Sequence, residues 1–528
     1  TPFADGGSSF GEQGDMAAGK IAPDPTPAGS MIAFPHRLRP VLILLIGLVA
    51  LVGCSADPGE RQQDKPHPLL LISIDGFRHD YIERFDSPAL DRMIREGFHA
   101  DSLYEAFPTK TFATHYTLVT GLHPGTHGIV ANNMWDPRRE AKFSLGNREA
   151  VNDGFWYQGG EPIWVSAEQQ GLIAATYFWP GSEAMIQRTR PTHYRAYDGR
   201  VPHRERVDQV LEWLALPESE RPDFLTLYFS RVDSRGHRDG PAAPSALAAA
   251  AEIDGQLEYL FAGLEARDLL DEINIILVSD HGMSAVSPER TVALDDYIDL
   301  SKVRVSDWGP AAQVWAERMP ASEILAAVDG APHLRAWARA DIPERYHFGS
   351  HYRVPDVLIE ADPGWLISSR AYMGRPSPPK GMHGWDPALA EMHGIFIARG
   401  PDFTAGSHAP AVAAVDLYPL MAHLLGLTPA EHEGRLQTFL PYLDGDKPPA
   451  YRVERFDCRA GEATAHIGPE HMALELGPRV YVLARSGTQA FSAAGLSFRI
   501  ENGTAKGLID GEPLGPCRQG RQREDSGR

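Results

Sequence analysis

The sequence predicts an α/β fold with a mostly parallel central sheet flanked by helices, followed by a small antiparallel β domain. Continuous apolar runs at residues 69–74, 223–229 and 273–278 are typical of buried parallel strands. Helical patterns separate these runs, as the connections of a parallel sheet require. Short alternating runs between glycine-rich turns follow residue 450. They indicate the second, antiparallel domain.

The remaining elements follow in chain order. Helices are predicted at residues 88–97, 162–171, 204–216, 246–269 and 416–425, and further strands at 172–179, 357–361 and 394–398. The pattern weakens over residues 306–351, and no role is assigned to residues 301–350. These elements place one domain at residues 68–443, a linker at 444–450 and the β domain at 451–520.

Length and charge limit the classes of function. The chain has 528 residues, of which 43% are hydrophobic, so it can bury a large core and form two domains. Its net charge is −20 and it has no long Lys/Arg block, so wrapping of nucleic acid is not expected. An acidic protein can still bind phosphate esters where metal ions supply the positive charge.

The N-terminal part has the pattern of a targeting segment. Residues 31–53 combine two arginines with thirteen apolar residues at 41–53. That length suits a signal-peptide core and falls short of the roughly 20 residues of a membrane span, although a single anchor is the alternative. Residues 51–54 resemble the bacterial lipoprotein box, which implies lipidation at Cys54. Ser55 then implies the outer membrane, with the protein facing the periplasm. Residues 1–30 are interpreted as an overcalled start, and 54–67 as a linker.

The stretch FPTKTFATHYTLVTG at residues 107–121 contains the candidate nucleophile. Thr111 lies where a loop changes into a helix-compatible run. A hydroxyl there faces the positive end of the helix dipole, which suits attack on an anionic phosphoryl group. The alternative is an ordinary threonine N-cap.

Acids and histidines recur after the predicted strands. Asp75, Asp233 and Asp280 follow three of the strands, His237 and His281 lie close by, and His383 lies in a glycine-rich loop. Taken singly, each is more typical of a turn or of the protein surface. Carboxylates and imidazoles at one sheet edge are suitable ligands for zinc, so together they predict a two-metal site.

Six motifs make the sequence resemble a known family. ISIDGFR, FPTKTFATHYTLVTGLHPGTHGIVANNMWDP, WPGSE, TLYFSRVDSRGHRDGP, ILVSDHGM and GMHGWDP resemble the nucleotide pyrophosphatase/phosphodiesterase family of the alkaline phosphatase superfamily. The resemblance covers residues 68–443 and implies an alkaline-phosphatase-like domain with two Zn²⁺ ions. It assigns one ion to Asp233, His237 and His383, and the other to Asp75, Asp280, His281 and Thr111.

The resemblance also implies a mechanism and a substrate. Thr111 would form a covalent phospho-enzyme intermediate, and Asn132 would donate to a phosphate oxygen. Phe112 and Tyr197 would stack on a nucleotide base, with Trp179 beside them. The expected reaction is hydrolysis of nucleotide phosphodiester or pyrophosphate bonds, releasing nucleoside 5′-monophosphates. Ala113-Thr114 departs from the Pro-Asn usual in the family, which affects the expected specificity more than the ligands.

Two other functions stay open. One is a phosphodiesterase of the same superfamily that cleaves phospholipids or glycerophosphodiesters. The other is an envelope protein that binds lysozyme without catalysis.

The C-terminal domain suggests this last function. FDCRAG and the alternating runs after it resemble the membrane-bound C-type lysozyme inhibitor family, which implies lysozyme as a partner and a bridge between Cys458 and Cys517. Two separate buried thiols are the alternative.

Overall fold

The computed structural model describes residues 65–374, 376–445, 447–501 and 503–520. The predicted signal peptide, Cys54 and residues 1–30 lie outside this part, so the lipoprotein interpretation stays a prediction. Described residues from Pro66 onward belong to one compact unit. Within the described ranges, no helix is both long enough and apolar enough to cross a membrane.

A central sheet confirms the predicted fold class. Its eight strands lie in the spatial order β8-β2-β7-β6-β1-β5-β3-β4, and β7 alone runs antiparallel to its neighbours. The strands are β1 (Leu69–Ile74), β2 (Phe98–Ala100), β3 (Ala174–Tyr177), β4 (His193–Arg195), β5 (Phe224–Phe229), β6 (Asn274–Val278), β7 (Phe396–Arg399) and β8 (Ser407–Ala409).

Both faces of this sheet are buried. Along β1, Leu69 and Leu71 contribute to one hydrophobic cluster, and Leu70 and Ile72 to the other. Successive side chains of a strand point to opposite faces, so a strand covered on both sides must be apolar throughout. This is why LLLISI reads as one continuous apolar run.

Helices cover the two faces, and the five helices predicted with bounds are present within a few residues of those bounds. Gly121 ends α2 (Thr111–Thr120) with a φ of 65°, a left-handed conformation that favours glycine. The helices are α1 (Pro88–Glu96), α2 (Thr111–Thr120), α3 (Pro124–His127), α4 (Arg148–Asn152), α5 (Ile163–Gln169), α6 (His203–Leu214), α7 (Arg231–Asp239), α8 (Pro244–Glu265), α9 (Ala321–Val328), α10 (Arg370–Met373) and α11 (Leu417–Leu424).

The region of weak pattern is an ordered insert. An antiparallel sheet joins four strands in the order Val303–Asp307, Ala311–Ala316, Val357–Ala361 and Leu334–Ala338, with α9 packed on its own hydrophobic cluster. The strand predicted at 357–361 is therefore present, but it belongs to this insert and not to the central sheet. We call this region the insert sheet.

Residues 452–519 form a closed antiparallel sheet with its own hydrophobic cluster. The structure joins Cys458 and Cys517 in a disulfide, which confirms the pairing. The strands are Arg452–Cys458, Gly461–Ile467, His471–Leu476, Arg479–Gly487, Ala490–Ala493, Leu496–Glu501, Thr504–Ile509, Glu512–Pro513 and Cys517–Gln519. We call this region the C-terminal sheet.

Short paired strands complete the described fold. They are Leu103–Tyr104, Asn133–Asp136, Ala141–Ser144, Ser284–Ala285, Thr291–Ala293, Leu366–Ser368, Gly381–Met382 and Val412–Ala413.

Candidate metal centre and nucleophile

Two neighbouring strands bring the first two acids together. Asp75 directly follows β1, and Asp280 lies two residues after the end of β6, which pairs with β1 in parallel register. The carboxyl ends of parallel strands meet at one sheet edge, where ligand sites of such sheets lie. The Gly76 main-chain N–H donates to Asp280 Oδ1 at 3.1 Å and so links the two loops.

Asp233 reaches the same edge from a helix. It was expected at the end of a strand, but β5 ends at Phe229 and α7 begins at Arg231, so Asp233 lies in the first turn of α7. His237 lies one turn later on the same helix face. Its Nε2 atom is 3.1 Å from Asp233 Oδ1. A Cβ on Gly76 would lie 2.8 Å from the Asp233 Cα, so glycine permits this close approach.

Three imidazoles are oriented by main-chain carbonyls. In each ring Nδ1 is the atom bonded to a carbonyl, which makes it the donor and turns the lone pair of Nε2 towards the acids. The bonds run from His237 to Gly381 at 2.8 Å, from His281 to Gly282 at 2.9 Å, and from His383 to Thr109 at 2.7 Å. The rings of His281 and His383 stack with centroids 3.4 Å apart.

The acids present oxygens that suit a cation. Asp75 Oδ1, Asp233 Oδ1 and Asp280 Oδ2 are buried and accept no hydrogen bond from any group in the described ranges. Buried carboxylates normally have hydrogen-bond, ion-pair or metal partners. Burial, together with the charges of Asp280 and Asp233, raises the pKa of Asp75 well above its usual range. A divalent cation would offset this repulsion.

The ligand atoms form two overlapping groups. Asp75, Asp280 and His281 form one group, and Asp233, His281 and His383 the other, with the atoms of each group within 4.8 Å of one another. Oxygen and imidazole nitrogen together fit zinc. The structure thus brings all six predicted acid and histidine ligands together, while the division of these ligands between two ions stays a prediction.

Thr111 lies against this cluster at the start of α2. It is the first residue of the helix, and the N-cap position belongs to Lys110. The alternative role of Thr111 as an N-cap is therefore wrong. Its Oγ1 atom lies 3.3 Å from His281 Nε2. A hydroxyl at the positive end of the helix dipole and beside a metal ligand suits a nucleophile towards phosphate.

The neighbours of Thr111 fix the helix start. Asn132 Oδ1 accepts the Phe112 main-chain N–H at 2.8 Å, which makes the Nδ2 group the donating end of that amide. Lys110 is buried and forms an ion pair with Asp307 of the insert sheet. Asn133 also donates to Asp307, at 3.1 Å. The insert sheet is thereby tied to the residue that precedes Thr111.

The three aromatics predicted at the base-binding site differ in their surroundings. Phe112 is partly buried and packs edge-on against Phe143, with centroids 5.3 Å apart. Tyr197 is 39% exposed, and its hydroxyl lies 3.2 Å from Ser230 Oγ. Trp179 is only 2% exposed. A ring buried to this extent packs against His115 of α2 and does not line an open site for a base. The prediction that Trp179 flanks the base is therefore wrong.

Two buried residues beside the metal ligands were missed. His115 Nδ1 lies 3.2 Å from Asp280 Oδ2, and its ring forms a T-shaped contact with Trp179. Its position four residues after Thr111, on the same helix face, was the available signal. Tyr228 donates its hydroxyl to Asp75 Oδ2. It gives no comparable signal, because it sits inside the apolar strand β5.

Comparisons with known proteins agree with this geometry. The family model described as type I phosphodiesterase / nucleotide pyrophosphatase matches residues 69–386. Human ectonucleotide pyrophosphatase/phosphodiesterase family member 1 is 37% identical over 384 residues, 70% of this chain and 41% of that protein. The venom phosphodiesterase of Macrovipera lebetinus is 37% identical over 379 residues, 70% of this chain and 44% of that protein. The chain therefore spans less than half the length of these relatives.

Solved structures are similar over most of the described fold. Human ectonucleotide pyrophosphatase/phosphodiesterase 5 matches with a TM-score of 0.69 and 35% identity, covering 72% of this chain and 100% of that one. An inactive threonine-to-alanine form of the murine protein, in complex with AMP, matches with a TM-score of 0.68 and 34% identity over 72% and 100%. These matches confirm an alkaline-phosphatase-like fold. The likeness of the C-terminal sheet to lysozyme inhibitors stays a prediction.

Proposed function

Because the chain belongs to the type I phosphodiesterase / nucleotide pyrophosphatase family, we propose that it hydrolyses nucleotide phosphodiester or pyrophosphate bonds and releases nucleoside 5′-monophosphates. The supporting observation is the placement of Thr111 Oγ1, 3.3 Å from His281 Nε2, beside three buried carboxylates with unbonded oxygens. The AMP bound by the murine relative supports a nucleotide substrate.

The cofactor in this proposal is two Zn²⁺ ions. One would be held by Asp233, His237 and His383, and the other by Asp75, Asp280, His281 and Thr111. When bound, zinc would favour the alkoxide form of the threonine and neutralise charge on the phosphate oxygens.

The chain's own groups define the rest of the reaction. Thr111 Oγ1 attacks phosphorus, the ester or anhydride bond to the leaving oxygen breaks, and a phosphodiester between the threonine and the nucleoside forms. Attack by water on this ester then restores the threonine and frees the nucleoside monophosphate. Asn132 Nδ2 donates to a non-bridging phosphate oxygen, and one such donor typically contributes about 3–4 kcal/mol in the transition state. Phe112 and Tyr197 contact the base, and Trp179 packs against His115 of α2.

The first test replaces the nucleophile. Thr111→Ala should lower turnover of a nitrophenyl nucleotide ester by a factor of roughly a thousand or more, since the covalent step is lost. Metal analysis should still find bound zinc, because six ligands remain. Thr111→Ser is the matched control, and it should keep measurable turnover because it keeps the hydroxyl. Undiminished turnover by the alanine variant would refute the assignment of the nucleophile.

The second test concerns substrate class. Turnover of a nitrophenyl nucleotide should exceed that of a nitrophenyl phosphocholine, because Phe112 and Tyr197 offer rings for a base. The reverse order would favour the phospholipid-cleaving alternative. Hydrolysis of neither substrate by a protein that binds no zinc would favour the lysozyme-binding alternative.

The location is proposed on sequence grounds. We place the protein in the bacterial cell envelope, attached through a lipidated Cys54 to the outer membrane and facing the periplasm. Lysozyme is the partner proposed for the C-terminal sheet.

A further inference from the structure

An open groove of about 450 Å³ lies between the hairpin of residues 133–144 and the insert sheet. Arginine and aromatic side chains dominate its lining, and we call it the arginine–aromatic groove. The residues that carry the argument are Trp135, Arg138, Arg304, Trp315, Arg339 and Tyr352. Its volume lies within the range of small-molecule sites.

Each guanidinium lies over an aromatic ring. Arg138 is 3.6 Å from the Tyr352 ring centroid, and Arg304 is 3.9 Å from that of Trp135. Arg339 lies 5.7 Å from the Trp315 centroid. A stacked guanidinium keeps its N–H groups at its edge, where they can bind phosphate. Its free face can stack on a base, as aromatic rings also do.

Neighbouring carboxylates offset only part of this positive charge. Arg304 forms an ion pair with Glu317, and Arg339 with Asp356 at 3.1 Å. Within the described ranges, Arg138 makes no ion pair with a carboxylate, and its guanidinium lies on the Tyr352 ring. The three arginines and two acids leave the groove with a positive charge, in a protein whose net charge is −20. An anionic ligand is the match for this groove.

A buried acid holds one wall in place. Asp136 is fully buried and accepts hydrogen bonds from the Arg138 main chain at 2.9 Å, the Tyr352 hydroxyl at 2.7 Å and Arg353 Nε at 2.6 Å. Trp315 is 7% exposed and donates its indole N–H to Ser306. A wall fixed in this way lowers the ordering cost of binding.

The groove begins close to the catalytic centre. Trp135 follows Asn132 by three residues along an extended strand, a distance of about 10 Å. On the facing sheet, Arg304 shares a strand with Asp307, which binds Lys110 next to the nucleophile. Each wall of the groove is therefore continuous along the chain with a residue that lies near Thr111.

We propose that the arginine–aromatic groove binds a second nucleotidyl group, with its base stacked on a guanidinium or ring and its phosphate on guanidinium edges. This inference rests on the proposed function, since the group would be the leaving half of a dinucleotide substrate. A free nucleotide has the same chemistry and is the other source.

Kinetics on two substrates tests the proposal. Arg138→Ala and Arg304→Ala should each lower kcat/KM for a dinucleotide polyphosphate by about 5- to 150-fold, the effect of losing one stacked base. A nitrophenyl nucleotide ester has no second base, so its kcat/KM should change less than about twofold. Arg499→Ala removes one exposed arginine of the C-terminal sheet and is the matched control.

The possible outcomes distinguish failure of the groove assignment from failure of the proposed function. Equal ratios of the two substrates in the groove variants and in Arg499→Ala would overturn the groove assignment while leaving the proposed function intact. If the native chain hydrolyses neither substrate, the proposed function fails, and calorimetric titration with AMP then decides about the groove. Binding that Arg138→Ala weakens would support a free nucleotide as the ligand, and binding that it leaves unchanged would refute the groove.

Discussion

Asp386 joins the loop of His383 to the C-terminal sheet. It is 2% exposed and accepts two hydrogen bonds from Arg345, at 2.6 and 2.8 Å. Arg479 of the C-terminal sheet also donates to it. Burial alone would raise the pKa of Asp386, but the hydrogen bonds from Arg345 lower it, so the carboxylate is ionised. We predict that Asp386→Asn destabilises both the fold and the metal site.

The expected loss of unfolding free energy follows from the burial of Asp386. The amide would leave two guanidiniums without their shared charge, and removing one partner of a buried ion pair costs about 3–5 kcal/mol of unfolding free energy. Asp510→Asn is the matched control, because Asp510 pairs with the same Arg345 at 2.7 Å but is 34% exposed. An exposed pair contributes less than about 1 kcal/mol.

The assay is urea unfolding of both variants, repeated at several zinc concentrations. Since His383 lies three residues before Asp386, Asp386→Asn should also need more zinc for half-maximal hydrolysis of a nitrophenyl nucleotide. Equal free energies of unfolding for the two variants would refute the argument from burial. An unchanged zinc requirement would refute the link from the C-terminal sheet to the metal site.

Three further predictions follow from single contacts. Tyr228→Phe removes the hydroxyl that donates to Asp75 and should weaken zinc binding about 10- to 100-fold in a chelator competition; unchanged affinity would contradict this. Reduction of the disulfide, whose cysteines lie 59 residues apart, should cost about 4 kcal/mol and lower the unfolding midpoint, whereas an equal midpoint would exclude a stabilising bridge. Burial would raise the pKa of Glu433, but hydrogen bonds from His123 prevail and lower it to about 2. Its stabilising effect is therefore complete above about pH 4.5 and is lost as the pH falls towards 2, so Glu433→Gln should flatten this limb of the stability profile, and an identical profile would count against it.

The sequence predicts that the candidate ligands lie close together, because local patterns position most of them. Asp75 directly follows β1 and Asp280 lies two residues after β6, and buried parallel strands bring their carboxyl ends to one sheet edge. Asp233 and His237 have helical spacing, and both lie on α7, which begins two residues after β5 ends as predicted at Phe229. Neither a strand end nor a helical spacing identifies His383. Only the resemblance of the motif GMHGWDP to the family identifies it.

Side-chain directions after a strand are harder to predict. Phe178 has a φ of 64°, so the chain leaves the extended conformation one residue before Trp179. The alternation of strand faces then no longer applies, and the sequence cannot tell a buried indole from one that flanks a slot. The sequence does not predict the insert sheet, for a related reason. Its edge strand Leu334–Ala338 has no fully buried residue, so its apolar alternation is weak.

The C-terminal sheet supports the catalytic loop through contacts that no local pattern encodes. The Val480 main-chain N–H donates to the Ala388 carbonyl at 2.7 Å, and the Ala388 side chain packs into the core of the C-terminal sheet. The same loop bonds to the nucleophile segment, since Thr109 Oγ1 donates to the Trp385 carbonyl at 3.1 Å and the His383 ring donates to the Thr109 carbonyl. One loop therefore contacts the C-terminal sheet, a metal ligand and the segment that begins α2. The closed sheet thus supports the loop that carries the candidate ligand His383.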